Sequence, residues 1–310
     1  MRNAVGREIP DELLTGGREV FQGNAYRDGY TYTKVGPTVR ASVMSKETKV
    51  VADIRAAIEA CGMKDGMTIS FHHHFRDGDY IVNQVMQVIR ELGLRDITVA
   101  ASSLGSANDV LAQCIEEGIV TGIQTSGIRG RIGVAVSTGK LKTPAILRTH
   151  GGRVRAIECG EVHIDVAFIG ASSSDEFGNA SGKNGKANCG CLSYSDIDAR
   201  YADKVVVITD TLVPFPNKPA SISCIDVDYV VVVDEIGNPK KIASAAARIT
   251  DNPRDLKIAE KCAEIMRATP YFKDGFSFQT GVGGPSIATT LFLKKYMEED
   301  GIKMGWIVGG

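Results

Sequence analysis

Five short apolar runs, at residues 67–71, 97–101, 166–169, 204–209 and 229–233, are mostly rich in Val and Ile and do not alternate with polar residues. A strand with one face in water alternates. A strand covered on both faces reads as a continuous apolar run, and helices on both faces of a parallel sheet give that coverage. Helical spacings stand between the runs. Val50, Val51, Ile54, Ala57, Ile58 and Cys61 predict a helix before the first run. Ile81, Val82, Val85, Met86, Val88, Ile89 and Leu92 predict another before the second, and a third is expected from Val110 to Glu117. Helix and strand in alternation imply the α/β class with a mostly parallel sheet.

The apolar pattern also sets the expected domain limits. Residues 1–45 are rich in Gly, Arg, Tyr and Thr without a sustained apolar period, which predicts an arm. A first α/β domain is expected over 46–240. After Gly237-Asn238-Pro239 a basic, Ala-rich stretch leads through Asp251-Asn252-Pro253-Arg254 into a helix carrying Ile258, Cys262, Ile265 and Met266. A Gly-rich turn, a helix ending near Glu299 and a strand over 303–308 follow. Residues 241–310 therefore read as a linker and an incomplete second domain, because two strands and two helices leave a parallel sheet partly uncovered. The expectation is a piece of a longer protein.

Composition narrows the function classes. With 310 residues, 43% hydrophobic and 24% charged, the chain can build two cores. A formal charge of −1, with Lys and Arg scattered, lacks the footprint of a nucleic-acid binder. The N-terminus has no apolar h-region and no run reaches membrane-spanning length, so the expected compartment is the cytoplasm. Seven cysteines, an odd number, fit reduced thiols better than a disulfide framework.

The run at 67–71 ends in His72-His73-His74-Phe75-Arg76-Asp77-Gly78-Asp79. Ligands of open α/β sheets bind outside the carboxyl ends of the strands, so this cluster marks a candidate site for an anionic substrate. If the strand continued, His72 and His74 would share one face and His73 the other. Metal binding is a rival reading, but two histidines on one face fall short of the three or four ligands zinc takes, and no metal is expected. Polar residues that merely finish a strand are the third reading. Cys189 and Cys191 have no partner pair at metal-site spacing and read as small buried thiols.

Residues 161–169, followed by Asp175-Glu176-Phe177-Gly178-Asn179, resemble the CoA-transferases, in which a strand precedes an Asp-x-x-Gly-Asn turn. The string from His72 to Asp79, with Ala100-Ala101-Ser102-Ser103 and His150-Gly151-Gly152-Arg153, resembles the citrate lyase alpha subunits more than other CoA-transferases. The resemblance runs from about Gly6 to Gly310. It implies a first CoA-transferase-like domain followed by the start of a second. It also implies a transferase that moves a CoA-like carrier thiol from acetyl to citrate, giving a citryl thioester and acetate. The implied cofactor is CoA or a CoA-like prosthetic group. The implied partners are citrate, an acetyl thioester, an acyl carrier subunit and a beta subunit that cleaves the citryl group. A free-standing carboxylate CoA-transferase and a non-catalytic binding module of a lyase complex are the alternatives.

On that resemblance the citrate pocket is assigned to His72, His73, Arg76 and Ser103, since arginine binds carboxylates bidentately and imidazoles add donors. Asp175 and Asn179 read first as shaping the site wall and second as substrate ligands. Arg129, Gly130 and Arg131 suit a phosphate of the CoA-like group, with a solvated basic turn as the equal alternative. Gly281, Gly283 and Gly284 precede Pro285, so bare N–H groups at a helix start are placed to stabilise a thioester oxygen; tight packing is the plain alternative. Many CoA-transferases use a glutamate at the end of a second-half strand as nucleophile. Here Gly309-Gly310 follow the strand at 303–308, which implies direct attack of citrate on the acyl thioester.

Overall fold

The computed structural model describes residues 1–3, 6–14, 20, 33–40, 48–244, 249–281 and 283–308. Residues 1–36 and 37–310 form two compact units. In the first, Arg2 and Glu8 make an antiparallel bridge and Asp11–Leu13 a single 3-10 turn. Much of the arm expected over 1–45 lies outside the described residues.

The second unit contains β1 (Val50–Val51), α1 (Ile54–Ala60), β2 (Thr68–Phe71), α2 (Ile81–Glu91), β3 (Ile97–Ala101), α3 (Val110–Glu116), β4 (Val120–Thr125), α4 (Gly130–Ser137), β5 (Ile146–Leu147) and α5 (His150–Glu158). It continues with β6 (Val166–Ala171), the hairpin strands β7 (Ser173–Ser174) and β8 (Ala180–Ser181), α6 (Ser195–Tyr201), β9 (Lys204–Thr209), β10 (Tyr229–Val232) and α7 (Pro239–Ser244). Last come α8 (Pro253–Arg267), β11 (Ser277–Gln279), α9 (Gly284–Asp300) and β12 (Trp306–Val308).

Eight strands form one sheet in the order β1-β10-β9-β6-β2-β3-β4-β5, every pair parallel. The uninterrupted apolar runs have a direct cause. All six residues of β6 are buried. One apolar cluster, with Phe71, Phe168, Met86 and Leu111, lies on one face, and a second, with Ile157, Ile169, Ile197 and Val207, lies on the other. Phe71 and Phe168 stack at 5.8 Å between centroids across the β2–β6 pair. A Cβ on Gly170 would stand 2.3 Å from the Phe75 ring, so glycine in β6 admits that ring into the core.

Some expectations need correction. Val50 and Val51 do not begin a helix: they pair with Val230 and Val231 as an edge strand. The helix starts only after Asp53, whose side chain accepts the N–H of Ala56 at 2.8 Å. Removing this cap in Asp53→Ala is expected to cost about 1 kcal/mol of stability, read from urea unfolding. The loop expected over 127–133 is half helix, since α4 opens at Gly130. β4, β5 and α5 had no counterpart in the sequence reading. Cys191 is exposed, not buried; Cys189 is half-buried, and burial pushes its thiol up to about 12.

Near the end of the chain β11 pairs in parallel with β12. Arg267 of α8 bonds Glu299 and Asp300 at the end of α9, at 2.7 Å and 2.9 Å. No helix of the described residues is long and apolar enough to cross a membrane.

Candidate functional site

The strand order reverses beside β2. From β2 the chain moves outward through β3, β4 and β5, then returns to β6 on the other side and proceeds to β9 and β10. The carboxyl end of β2 therefore stands at the topological switch point, where connections diverge and leave a crevice. A cleft of about 480 Å³ opens there. His73 enters it from β2, Ser103 from β3, Ser126 to Arg129 from the loop after β4, and Thr149 and His150 from the start of α5.

Local bonds hold these loops in place. Leu104 donates its N–H to Gly127 O at 2.9 Å, and Arg129 donates its own to Leu104 O at 3.0 Å, which binds the loops after β3 and β4 side by side. Gly130 has φ +67°, and a Cβ there would lie 2.8 Å from Asp109 Oδ1, so the turn that presents Arg129 requires glycine. Arg129 and Thr149 are the N-cap residues of α4 and α5. Thr149 Oγ1 accepts the Gly152 N–H at 3.0 Å. Two helix N-termini thus border the cleft with one guanidinium, and no carboxylate lines it among the described residues. That combination favours an anion.

The three histidines have separate surroundings. The strand stops at Phe71, yet the alternation persists: the His72 and His74 rings stack at 6.1 Å, while His73 stacks on His150 at 5.6 Å and on Tyr194 at 6.4 Å. His74 Nε2 donates to Gly170 O at 2.9 Å. Burial, with His72 beside it, pushes the His74 imidazole down to about 3. His73 is pushed down to about 4, first by burial and then by His150, His72, Arg76 and Arg129. His72 Nε2 lies 3.1 Å from Asp198 Oδ2.

Behind the cleft a buried ion cluster joins the elements. Arg153 of α5 donates to both carboxylate oxygens of Asp198 in α6 at 2.7 and 2.6 Å, and to Ala100 O in β3 at 3.0 Å. Burial alone would raise the Asp198 carboxyl, but Arg153 and His72 outweigh it and hold the group well below the usual range.

Of the residues predicted to form the site, the fold brings His73, Ser103 and Arg129 to one cleft. His72 sits in the buried cluster. Arg76 is exposed on a 3-10 turn with φ +51°. Asp175 and Asn179 are buried and bonded to each other: Asp175 accepts from the N–H groups of Phe177, Asn179 and Asn217 and from Asn179 Nδ2. These bonds brace the turn between β7 and β8, and neither residue lines the cleft. Arg131 is exposed, its N–H donating to Asp109 at 3.0 Å. Gly281 lies in the turn before α9, Gly283 is the N-cap of that helix and Gly284 its first residue, with Pro285 in the first helical turn; Val282 and the pair Gly309-Gly310 fall outside the described residues.

The sequence reading gave no role to Ser102, Ser126, Thr149, His150, Tyr194, Arg153 or Asp198. Thr149 before a new helix carried a capping signal. Nothing local pointed to Asp198.

Comparison with known proteins places the chain in a family. The model of the family "Citrate lyase, alpha subunit (CitF)" matches residues 47–310. The citrate lyase alpha chain of Haemophilus influenzae is 45% identical over 285 residues, covering 92% of this chain and 57% of its own length. A Streptococcus mutans structure described as an alpha subunit of citrate lyase in complex with citrate is 48% identical. It superposes with a TM-score of 0.86 over 100% of this chain and 60% of its own. An acyl-CoA transferase from Escherichia coli O157:H7, 15% identical, shares the fold alone, with a TM-score of 0.58 over 84% of this chain and 61% of its own. This chain thus spans little more than half the length of the relatives it matches. On the family match and the identity to its relatives, the chain belongs to the citrate lyase alpha subunit family.

Proposed function

We propose that the cleft at the β2 switch point binds citrate and that the complete protein is a citrate CoA-transferase, exchanging acetyl for citrate on a carrier thiol and releasing acetate. The observation that carries this reading is the convergence of Arg129, His73, Ser103 and two helix N-termini on a cleft free of carboxylates among the described residues. Such donors suit a polycarboxylate. The citrate in the Streptococcus mutans relative supports the choice of ligand.

In this reading a CoA-like group on an acyl carrier subunit supplies an acyl thioester when bound. Arg129 and the two helix starts hold the citrate carboxylates, and His73 and Ser103 add hydrogen bonds. The carboxylate is already ionised, so no residue has to remove a proton before it attacks the acetyl carbonyl; the thioester C–S bond breaks as an acetyl–citryl anhydride forms, and transfer of the citryl carbonyl to the thiol then expels acetate. Gly281, Gly283 and Gly284 are assigned to the thioester side, Arg131 and Gly130 to the basic turn near the carrier group, and Arg76 to the approach to the cleft. Residues 46–240 are read as the first domain and 241–310 as a linker with the beginning of a second. A beta subunit and the carrier subunit complete the assembly.

Titration calorimetry with citrate tests the pocket. Arg129→Gln is expected to lower citrate affinity roughly 10- to 100-fold, the worth of one charge-assisted contact. Unchanged affinity would remove Arg129 from the pocket. Mass spectrometry of acetyl-CoA plus citrate, with a chain extended to the length of the relatives and carrier protein supplied, tests the transfer. No citryl thioester from that folded protein would overturn the transferase reading.

A further inference from the structure

The surroundings of His73 select one of its tautomers. A neutral imidazole carries one N–H, and its position decides whether the ring offers the cleft a donor or an acceptor. Nδ1 lies 2.6 Å from Ser102 Oγ, and the same oxygen accepts the backbone N–H of His73 at 3.1 Å. Ser102 is 1% exposed, so its hydroxyl hydrogen has no access to bulk water. If Nδ1 carried the proton, Ser102 Oγ would accept two N–H bonds, and no acceptor for its own hydrogen is found among the described residues. Leaving a buried donor unpaired is unfavourable. With the Ser102 hydroxyl donating to Nδ1, both groups are satisfied and the ring proton goes to Nε2.

We propose that Ser102 is a positioning residue that holds His73 as its Nε2–H tautomer, so that the ring meets a ligand in the cleft as an uncharged hydrogen-bond donor. Burial and the neighbouring cations keep the ring neutral, and stacking against His150 and Tyr194 holds its plane. A donor of this kind interacts more strongly as charge develops on a ligand oxygen, and it cannot serve as a general base. Its use for a carboxylate or thioester oxygen rests on the citrate reading above; the tautomer itself does not.

The test is the imidazole nitrogen–proton correlation spectrum of the full chain labelled with 15N-histidine at pH 7, with His73 identified by its loss in His73→Gln. The unmutated protein is expected to show a protonated Nε2 and a bare Nδ1 at His73. Ser102→Ala is expected to give a mixture of tautomers and a roughly three- to tenfold loss of citrate affinity. Ser102→Cys, which keeps a weak donor, is expected to retain more of the Nε2–H form. A protonated Nδ1 at His73 in the unmutated protein overturns the proposal without any variant, and so does a folded Ser102→Ala with an unshifted tautomer. Absent citrate binding alongside a protonated Nε2 that depends on Ser102 supports the positioning role and overturns the citrate reading instead.

Discussion

Arg153→Met is expected to lower the unfolding free energy by about 3–5 kcal/mol, because it strands the Asp198 carboxylate in the interior with only His72 beside it. Arg153 is 3% exposed and Asp198 fully buried, so water cannot replace the lost guanidinium. The substitution also frees Ala100 O, at the carboxyl end of β3, from its bond to Arg153. A control separates burial from ion pairing as such. Arg155 binds Glu161 through two bonds of 2.5 and 2.6 Å, but both groups are about one-third exposed. Arg155→Met is therefore expected to cost less than about 1 kcal/mol. In the double variant Arg153→Met/Asp198→Leu, which removes both charges, much of the loss should return. Urea unfolding of the three variants decides the matter. An Arg153→Met protein within about 1 kcal/mol of the unmutated one would show that the buried cluster does not hold α5 and α6 to the sheet.

Acidification is expected to destabilise the fold in two stages, starting well above the carboxylate range. His74 and His73 have folded pKa values near 3 and 4, below the ordinary 6.5. Below pH 6.5 the unfolded chain binds protons that the folded chain refuses. Their contribution is therefore fully present above pH 6.5 and lost as pH falls toward 4 and then 3. For His74, whose Nδ1 is buried without a partner, the full loss is on the order of 3–5 kcal/mol. Asp79 acts with the opposite sign. Burial raises its carboxyl to about 6, so the penalty for keeping it charged, present above pH 6, is relieved as pH falls toward 3.8. Its bonds from Asn108 Nδ2 at 2.8 Å and the Ile81 N–H at 3.0 Å limit that rise. Asp198, held low by Arg153 and His72, begins to lose its contribution only as pH falls below the ordinary carboxylate pKa of 3.8. Urea midpoints at pH 7, 5.5 and 4.5 should fall steadily. In His74→Gln, where the amide can still donate to Gly170 O, the slope between pH 6.5 and 4.5 should be visibly shallower. An unchanged slope in a folded His74→Gln would assign the acid sensitivity elsewhere.

What was legible in the chain was local. The strands at Ile97–Ala101 and Lys204–Thr209 follow from near-continuous burial, with only Thr98 and Lys204 half-buried. α2 follows from the 3.6-residue spacing of Ile81, Val82, Val85, Met86 and Ile89, all buried as that spacing demands. Burial on two faces versus one stripe writes itself into consecutive residues, and so the class could be read, and the end of β2 marked as a candidate site, before any contact was known. Val50-Val51 were misread because the same two valines satisfy a helical stripe and an edge strand. Only pairing with Val230 and Val231 separates the two.

The site divides in the same way. His73, Ser103 and Arg129 each stand just past a strand or at the start of a helix, positions that local pattern and resemblance could mark. The partnership of Arg153 with Asp198, 45 residues away, left no mark, nor did the stacking of His73 on His150. Sequence alone determined the α/β class, the positions of most core elements and the family resemblance, because residue spacing and motif strings carry them. Tertiary structure alone decided the strand order, the reversal at β2 and the partner of each histidine. These depend on which distant segments the packed sheet brings together, and a single chain records no local signal of that choice.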